Sequence, residues 1–236
     1  MPRTVRYELM RPGELREARD AAPIAYVPFG SLEWHGQQLP AGCDTLKAHA
    51  VLIRAAEQAG GVVVPPVYFG YLDPWKPFTF RGLDEDAIDK LYGTIFASLV
   101  HWGFKVLIGV TGHNVDPQRK AIQRAIDRVS RPGEVVGIGV WEVDLAADPE
   151  RCNTDHAAKW ETSDMMYLHP DCVDISILSE ADFARQEPRD PTAFVGGIYG
   201  DDPRVHASRE VGETCIELAA AAIARKAREL LASVQR

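Results

Sequence analysis

Three short stretches of the 236-residue chain concentrate the side chains that do chemistry. The first, Gly30-Ser-Leu-Glu33-Trp-His35-Gly-Gln-Gln-Leu-Pro-Ala-Gly-Cys-Asp44, holds a carboxylate and an imidazole two residues apart. In extended backbone both leave the same face. Asp44 closes the stretch. Glu33, His35 and Asp44 together make a hard-to-borderline ligand set suited to zinc, manganese or iron(II). Singly, each has a plainer reading: Asp44 as the cap of the helix that follows, His35 as an ordinary loop histidine, Glu33 as a solvated charge. The second stretch, Thr111-Gly-His113-Asn-Val-Asp116, follows a nearly unbroken apolar run, and the third, Asp155-His156-Ala-Ala-Lys-Trp-Glu161-Thr-Ser, follows another. Three polar clusters behind three apolar runs point to one shared rim.

Each cluster needs a strand to deliver it. Residues 24–30 (IAYVPFG) are a short apolar, β-leaning run that stops at glycine and reads as a buried strand. Residues 45–59, rich in Ala, Leu and Ile before Gly60-Gly61, predict a helix. Residues 62–70 predict a second strand. Residues 84–102 predict a helix whose leading carboxylates oppose the dipole. Residues 105–112 read as a strand covered on both faces, and residues 116–129 as a helix with Asp116 as cap and Pro117 in its first turn. A strand at 135–141 and helices at 161–168 and 212–234 complete the series, and residues 182–203, rich in Pro, Gly and charge, read as a surface loop beside the site. Strands alternating with helices predict an α/β domain with a mostly parallel sheet. Ligands of such sheets gather beyond the C-terminal ends of the strands, where all three clusters fall. No repeat or linker divides the chain, so residues 1–236 read as one domain.

Composition removes several classes of protein. With 26 Lys+Arg against 34 Asp+Glu the formal net charge is −8, which argues against a general nucleic-acid binder. No apolar run approaches the roughly 20 residues that span a bilayer. The start, Met1-Pro-Arg-Thr-Val-Arg-Tyr-Glu, lacks the apolar core of a signal peptide, so a cytoplasmic protein is expected. Cys43, Cys152, Cys172 and Cys215 are scattered without a CxxC pair and read as reduced thiols.

The three clusters resemble the creatininase (creatinine amidohydrolase) family, whose pattern runs G-S-x-E-x-H-G-x-x-L-P-x-G-x-D, then N-G-H-x-x-N, then H-x-x-x-x-E-T-S-x-x-x-x-x-x-P. Here they stand as GSLEWHGQQLPAGCD, TGHNVD and HAAKWETSDMMYLHP. The likeness extends from about Tyr26 to Ala224, through GGIYGDDP and ASREVG. It implies a three-layer α/β/α sandwich with a mostly parallel central sheet, a homo-oligomer (a hexamer), and a centre of two divalent metal ions, zinc, manganese or iron(II). Carried over residue by residue, Glu33, Asp44 and His113 hold one ion, and His35 and Asp44 hold the other, with Asp44 bridging. The family's second-metal glutamate falls at Val115, which cannot ligate, and Glu161 is the candidate to replace it. Thr111, Asn114 and Asp116 stand where the family has Asn, Tyr and Asn, departures that move the expected substrate away from creatinine itself.

The resemblance gives His156 the proton-transfer role, which suits an imidazole with an ordinary pKa of about 6.5, and places Glu161 in the same pocket. The reaction implied is attack by a metal-bridging hydroxide on the carbonyl of a small polar cyclic amide or a formamide. Two alternatives stay open: hydrolysis of a carbon–carbon bond in a cyclic keto-sugar or oxidised cyclitol at the same site, and a non-catalytic binding relative. Expected substrate contacts are Trp34, Arg81, Asn114, Asp155 and Trp160, with Trp75 and Phe80 as further aromatic wall and Lys159 as a further polar contact. Lys47, His49, His101, His169 and His206 carry no motif and read as helix or surface residues.

Overall fold

The apolar runs ahead of the three clusters become strands. In the computed structural model, which describes residues 4–72, 74–183 and 192–234, the elements in chain order are α1 (Pro12–Ala21), β1 (Ile24–Phe29), α2 (Cys43–Ala59), β2 (Val62–Val63), α3 (Glu85–His101), β3 (Val106–Thr111), α4 (Asp116–Asp127), β4 (Val136–Trp141), α5 (Lys159–Leu168), α6 (Pro203–His206) and α7 (Arg209–Val234), with short 3-10 turns between. The four strands form one parallel sheet in the order β2-β1-β3-β4. β1 runs beside β3 from Ile24 opposite Val106 to Phe29 opposite Thr111, and β3 beside β4 from Val106 opposite Val136 to Thr111 opposite Trp141.

Every residue of β1 and β3 is buried, and the period-two alternation of side chains divides them between two cores. Ile24, Tyr26, Val106, Ile108 and Val110 pack with Val51 and Leu52 of α2, Ile216 and Ile223 of α7 and Trp160 of α5. Ala25, Val27, Phe29 and Leu107 pack on the other face with Ile88, Tyr92 and Phe96 of α3 and Ile122 and Ile126 of α4. Helices therefore cover both faces, which makes the three-layer α/β/α sandwich. From β1 the chain moves outward to β2 and then crosses back to β3 on the far side of β1. At such a reversal the loops leaving the two strands diverge and open a crevice.

Local expectations change in three ways. Only Val62–Val63 of the predicted 62–70 strand pair as β2, because Pro65 and Pro66 have no N–H to give to a ladder. The chain rejoins β1 at a single bridge, Val67 to Phe29. α1 carries too polar a sequence to show apolar periodicity and buries Ala18 alone. α2, α5 and α7 each begin two or three residues earlier than their apolar patterns suggest. Of the predicted 182–203 loop, residues 184–191 lie outside the described residues. Among the described residues no helix is long and apolar enough to cross a membrane. All four cysteines are free thiols, although the Cys215 and Cys152 sulfurs lie 3.0 Å apart.

Candidate functional site

Two glycines let the strand ends meet the first turn of α2. A Cβ on Gly30 would overlap the backbone of Thr45, and one on Gly112 the carbonyl of Asp44. Asp44 therefore lies against the end of β3 and does not cap α2, which begins one residue earlier without a side-chain cap.

Glu33, His35, Asp44, His113 and Glu161, all buried, converge in this crevice. His113 Nδ1 lies 2.7 Å from Glu33 Oε1 and 3.2 Å from Asp44 Oδ2. His35 Nε2 lies 2.9 Å from Asp44 Oδ1 and 3.3 Å from Glu161 Oε2. Asp44 thus offers one oxygen to each imidazole. The far nitrogen of each ring donates to a backbone carbonyl, His113 Nε2 to Tyr71 at 2.9 Å and His35 Nδ1 to Glu33 at 3.2 Å. A ring nitrogen held that way leaves the opposite lone pair facing carboxylate oxygens, an arrangement that is repulsive unless a cation or proton intervenes.

Donor atoms of Glu33, Asp44 and His113 lie within 4.8 Å of one another, as do those of His35, Cys43 and Glu161 and those of Glu33, His35 and His156. Imidazole and carboxylate donors in this arrangement fit divalent ions of the zinc or manganese type. With the protein's own groups alone, burial pulls both imidazoles down. The hydrogen bonds and charges of Asp44 and Glu33 outweigh it at His113, and the charges of Asp44 and Glu161 at His35, so both are pushed up to about 10. The field that stabilises those imidazolium ions equally favours a metal cation. Two unassigned side chains support the carboxylates: Ser31 Oγ donates to Asp44 Oδ2, and Trp75 Nε1 donates to Glu33 Oε2 at 3.2 Å. Ser31 lies inside the first motif, whereas Trp75 was expected only as apolar wall.

Lys47, expected as a helix or surface residue, does lie on α2, but it faces the site. It is 1% exposed, with Nζ 2.6 Å from Glu161 Oε1 and 3.1 Å from Glu142 Oε1. Three residues beyond Asp44 on α2, it shares that residue's inward face. Burial pulls the ammonium down, but the charges of Glu161 and Glu142 hold it well above the usual lysine range. The nearer carboxylate gains most. Burial works against ionised Glu161, yet Lys47 and His35 bring it below its ordinary value, whereas Glu142, whose Oε2 has no partner, is pushed up by burial. The second oxygen of Glu161 accepts the Ala157 N–H at 2.7 Å. Ala157 takes a left-handed φ of 54° to deliver it, a strained turn between His156 and Glu161.

A cavity of about 870 Å³ opens over the cluster. His156 lines it, donates from Nε2 to the Trp34 carbonyl at 3.1 Å, and lies 4.5 Å from the His35 ring, centroid to centroid. Burial, then the charge of His35, hold His156 below the ordinary imidazole value. Arg81, Asn114 and Asp155 also line the cavity. Asn114 Nδ2 donates to Thr154 Oγ1 at 2.6 Å and to Glu142 Oε1 at 3.3 Å. Asp155 accepts the Trp160 N–H at 2.9 Å and those of Ala158 and Glu161 at 3.3 Å, closing the start of α5. Burial, then the charge of Glu161, push its carboxyl up to about 6.

Trp34 and Trp160, expected as substrate contacts, do not line the cavity. Trp34 sits between Glu33 and His35, so the alternation that aims those two inward turns its indole away, onto the Gly196 carbonyl at 2.7 Å. Trp160 precedes Glu161 by one helical residue, about 100° around the axis, and packs into the core with Lys159 Nζ 4.2 Å from its ring centroid. Phe80 is exposed and lies outside the lining, as does Lys159. The aromatic wall comes from Trp75 and Tyr199, stacked at 6.1 Å. Asp116 opens α4 but caps nothing and pairs outward with Arg119 and Lys120, each at 3.0 Å.

A parallel sheet wound both ways from one crevice, with imidazoles and carboxylates gathered at its strand ends, defines a three-layer α/β protein built around a candidate metal centre. The chain belongs to the creatininase family: residues 8–227 match the family model described as creatinine amidohydrolase. It is 28% identical to the creatinine amidohydrolase of Pseudomonas putida over 250 residues, covering 90% of this chain and 92% of that one. It is 30% identical over 141 residues to the 3-dehydro-scyllo-inosose hydrolase of Thermotoga maritima, 58% of this chain and 44% of the relative. A solved creatininase variant of the Zn-Zn type superposes with a TM-score of 0.81 at 25% identity, covering 96% of this chain and 98% of that one. The protein is a creatininase-family hydrolase.

Proposed function

We propose that this hydrolase is metal-dependent and opens a small cyclic amide or cleaves a formamide. The observation that carries the reading is Asp44 placed between two imidazoles, each backed by a carbonyl. Glu33, Asp44 and His113 would hold one divalent ion, and His35, Asp44 and Glu161 a second, Asp44 being shared. The Zn-Zn type of the solved relative supports two ions, with zinc, manganese or iron(II) all matching the donors. Bound there, such ions supply Lewis acidity toward an amide carbonyl and bring water within about neutral reach of deprotonation.

The chain's own groups do the rest. Trp75 and Ser31 hold the carboxylates of Glu33 and Asp44, and Lys47 holds Glu161. His156 is the proton carrier. Its Nε2–H is committed to the Trp34 carbonyl, and its lowered pKa keeps Nδ1 available to take a proton and pass it to the departing nitrogen. Arg81, Asn114 and Asp155 contact the substrate. A second reading keeps the same site and takes an oxidised cyclitol or cyclic keto-sugar, cleaving a carbon–carbon bond; the Thermotoga maritima relative favours it. A homo-oligomer, a hexamer, belongs to the same proposal. The exposed pairs Phe69–Phe80 at 6.2 Å and Phe78–Phe194 at 5.6 Å are the kind of surface that subunit contacts cover.

Paired variants test the roles. His113→Ala is expected to lose metal, by plasma mass spectrometry, and all activity. His156→Ala is expected to keep its metal and lose about 10²–10⁴ in kcat on a panel of cyclic amides, formamides and keto-cyclitols. A His156→Ala enzyme that turns over at the wild-type rate removes the proton-carrier role. Metal-free wild-type protein that hydrolyses the panel removes metal dependence.

A further inference from the structure

Arg81 is the one arginine or lysine among the described residues lining the cavity. Five carboxylates among the described residues line it too, and each has partners: Glu33 has Trp75 and His113, Asp44 has both histidines, Glu161 has Lys47, Asp155 has the amides of α5, and Asp84 caps α3 through the Ala87 N–H at 2.8 Å. Among the described residues Arg81 makes no hydrogen bond and no ion pair, with any of the five or with anything else.

Its backbone is nevertheless fixed. The Phe80 N–H donates to the Leu32 carbonyl at 2.9 Å, tying the segment to the loop that carries Glu33, and the Gly82 N–H donates to the Leu72 carbonyl at 2.8 Å. A Cβ on Gly82 would overlap the backbone of Leu72, so the segment lies flush against its neighbour. A guanidinium on a fixed backbone, with its N–H fork unused at the wall of a cavity, is a receptor for a carboxylate or phosphate. The space is there as well. A cavity of about 870 Å³ is far larger than a bare five-membered cyclic amide and matches a ligand with a substituent beyond the reacting ring.

We propose that the substrate carries an anionic substituent, a carboxylate or a phosphate monoester, that Arg81 holds while the scissile amide lies over Glu33, Asp44 and Glu161. This rests on the amidohydrolase reading for the position of the amide. Anchoring a remote group spends none of the reacting atoms and fixes the amide in one orientation.

Matched probes on the metal-loaded protein test it. 2-Pyrrolidinone is compared with its 5-carboxylate, hydantoin with hydantoin-5-acetate, and N-formylethanolamine with its O-phosphate, by calorimetry for binding and by ring opening or formate release for turnover. The expected result is that the charged member of at least one pair binds about tenfold more tightly. The first two pairs carry the carboxylate arm and the third the phosphate arm, so the pair that responds names the anion. In Arg81→Ala the charged-to-neutral ratio falls to near one, and in Arg81→Lys part of it returns. Equal binding of both members in every pair, or no binding by any, overturns the proposal. So does a preference that survives Arg81→Ala, which would place the anion on the metal ions. Turnover without charge preference sinks the proposal and leaves amide hydrolysis standing. An Arg81-dependent preference with no turnover does the reverse.

Discussion

Beside the end of β3, Glu33 and Asp44 face His113, with no lysine or arginine among them; beside the start of α5, Glu161 and Glu142 share the ammonium of Lys47. Both regions bury carboxylates, which are costly to desolvate unless paired. The first has imidazoles and the neutral donors Ser31 and Trp75 to answer them, and a cation from outside would complete it. The second carries its own cation on α2. An ion at the His35, Asp44 and Glu161 position therefore has to share Glu161 with Lys47, whereas one at the Glu33, Asp44 and His113 position competes only with a proton. The two positions should differ in affinity, the first being the tighter.

Removing Lys47 should have the largest effect. Lys47→Met leaves two buried carboxylates without their ammonium and is expected to cost about 3–5 kcal/mol of stability in metal-free protein, measured by urea unfolding. Added divalent metal should recover part of that loss. A cost under about 1 kcal/mol, within the range of an exposed ion pair, would mean the lysine is not what balances that side. Glu33→Gln acts on the other region. It should weaken the first ion by at least the roughly 10–100-fold that loss of a supporting group costs, read by competition with a chromophoric chelator. Val115→Glu sharpens the contrast from the opposite direction. It returns a carboxylate two residues beyond His113 and should tighten the second ion about tenfold without changing the first. Equal gains at both positions would erase the distinction.

Much of this site could be read from residue order because strand and helix periodicity are local. Glu33 and His35 share a face by alternation, and the apolar run before His113 places that residue at a strand end. The same alternation turns Trp34 away from the cavity, and one step of helix does the same for Trp160; geometry, not the aromatic side chain, decides both. Lys47 was harder to recognise. Its spacing from Asp44 indicates a shared helix face, but burial of a lysine depends on Glu142 and Glu161, which lie 95 and 114 residues away. Trp75 and Tyr199 reach the cavity from loops with no periodicity to follow. The contact between Cys152 and Cys215 joins residues 63 apart, so spacing carried no sign of it. β2 is short for a reason visible in Pro65-Pro66, which have no N–H for a ladder however strongly the flanking valines favour a strand.

The smallest expected effect is on the pH dependence of folding, and it separates two carboxylates of one segment. Asp155 has its pKa raised to about 6 by burial and by Glu161, against about 3.9 for an unfolded aspartate. Between those values the folded protein holds a proton that the unfolded chain has released. The stability it contributes is complete below about pH 4 and is lost as pH rises through about 6. Glu161 is shifted the other way: burial opposes its ionisation, but Lys47 and His35 win and lower it. Its contribution is present above the ordinary glutamate pKa, about 4.3, and is lost as pH falls through the folded value. In chelator, urea unfolding from about pH 2.5 to 7 should show Asp155→Asn removing a decline toward pH 6 and Glu161→Gln removing a rise out of acid below about pH 4.3. If both substitutions tilt the profile in the same direction, Lys47 does not hold Glu161 ionised, and the contrast between the two sides of the site fails at its origin.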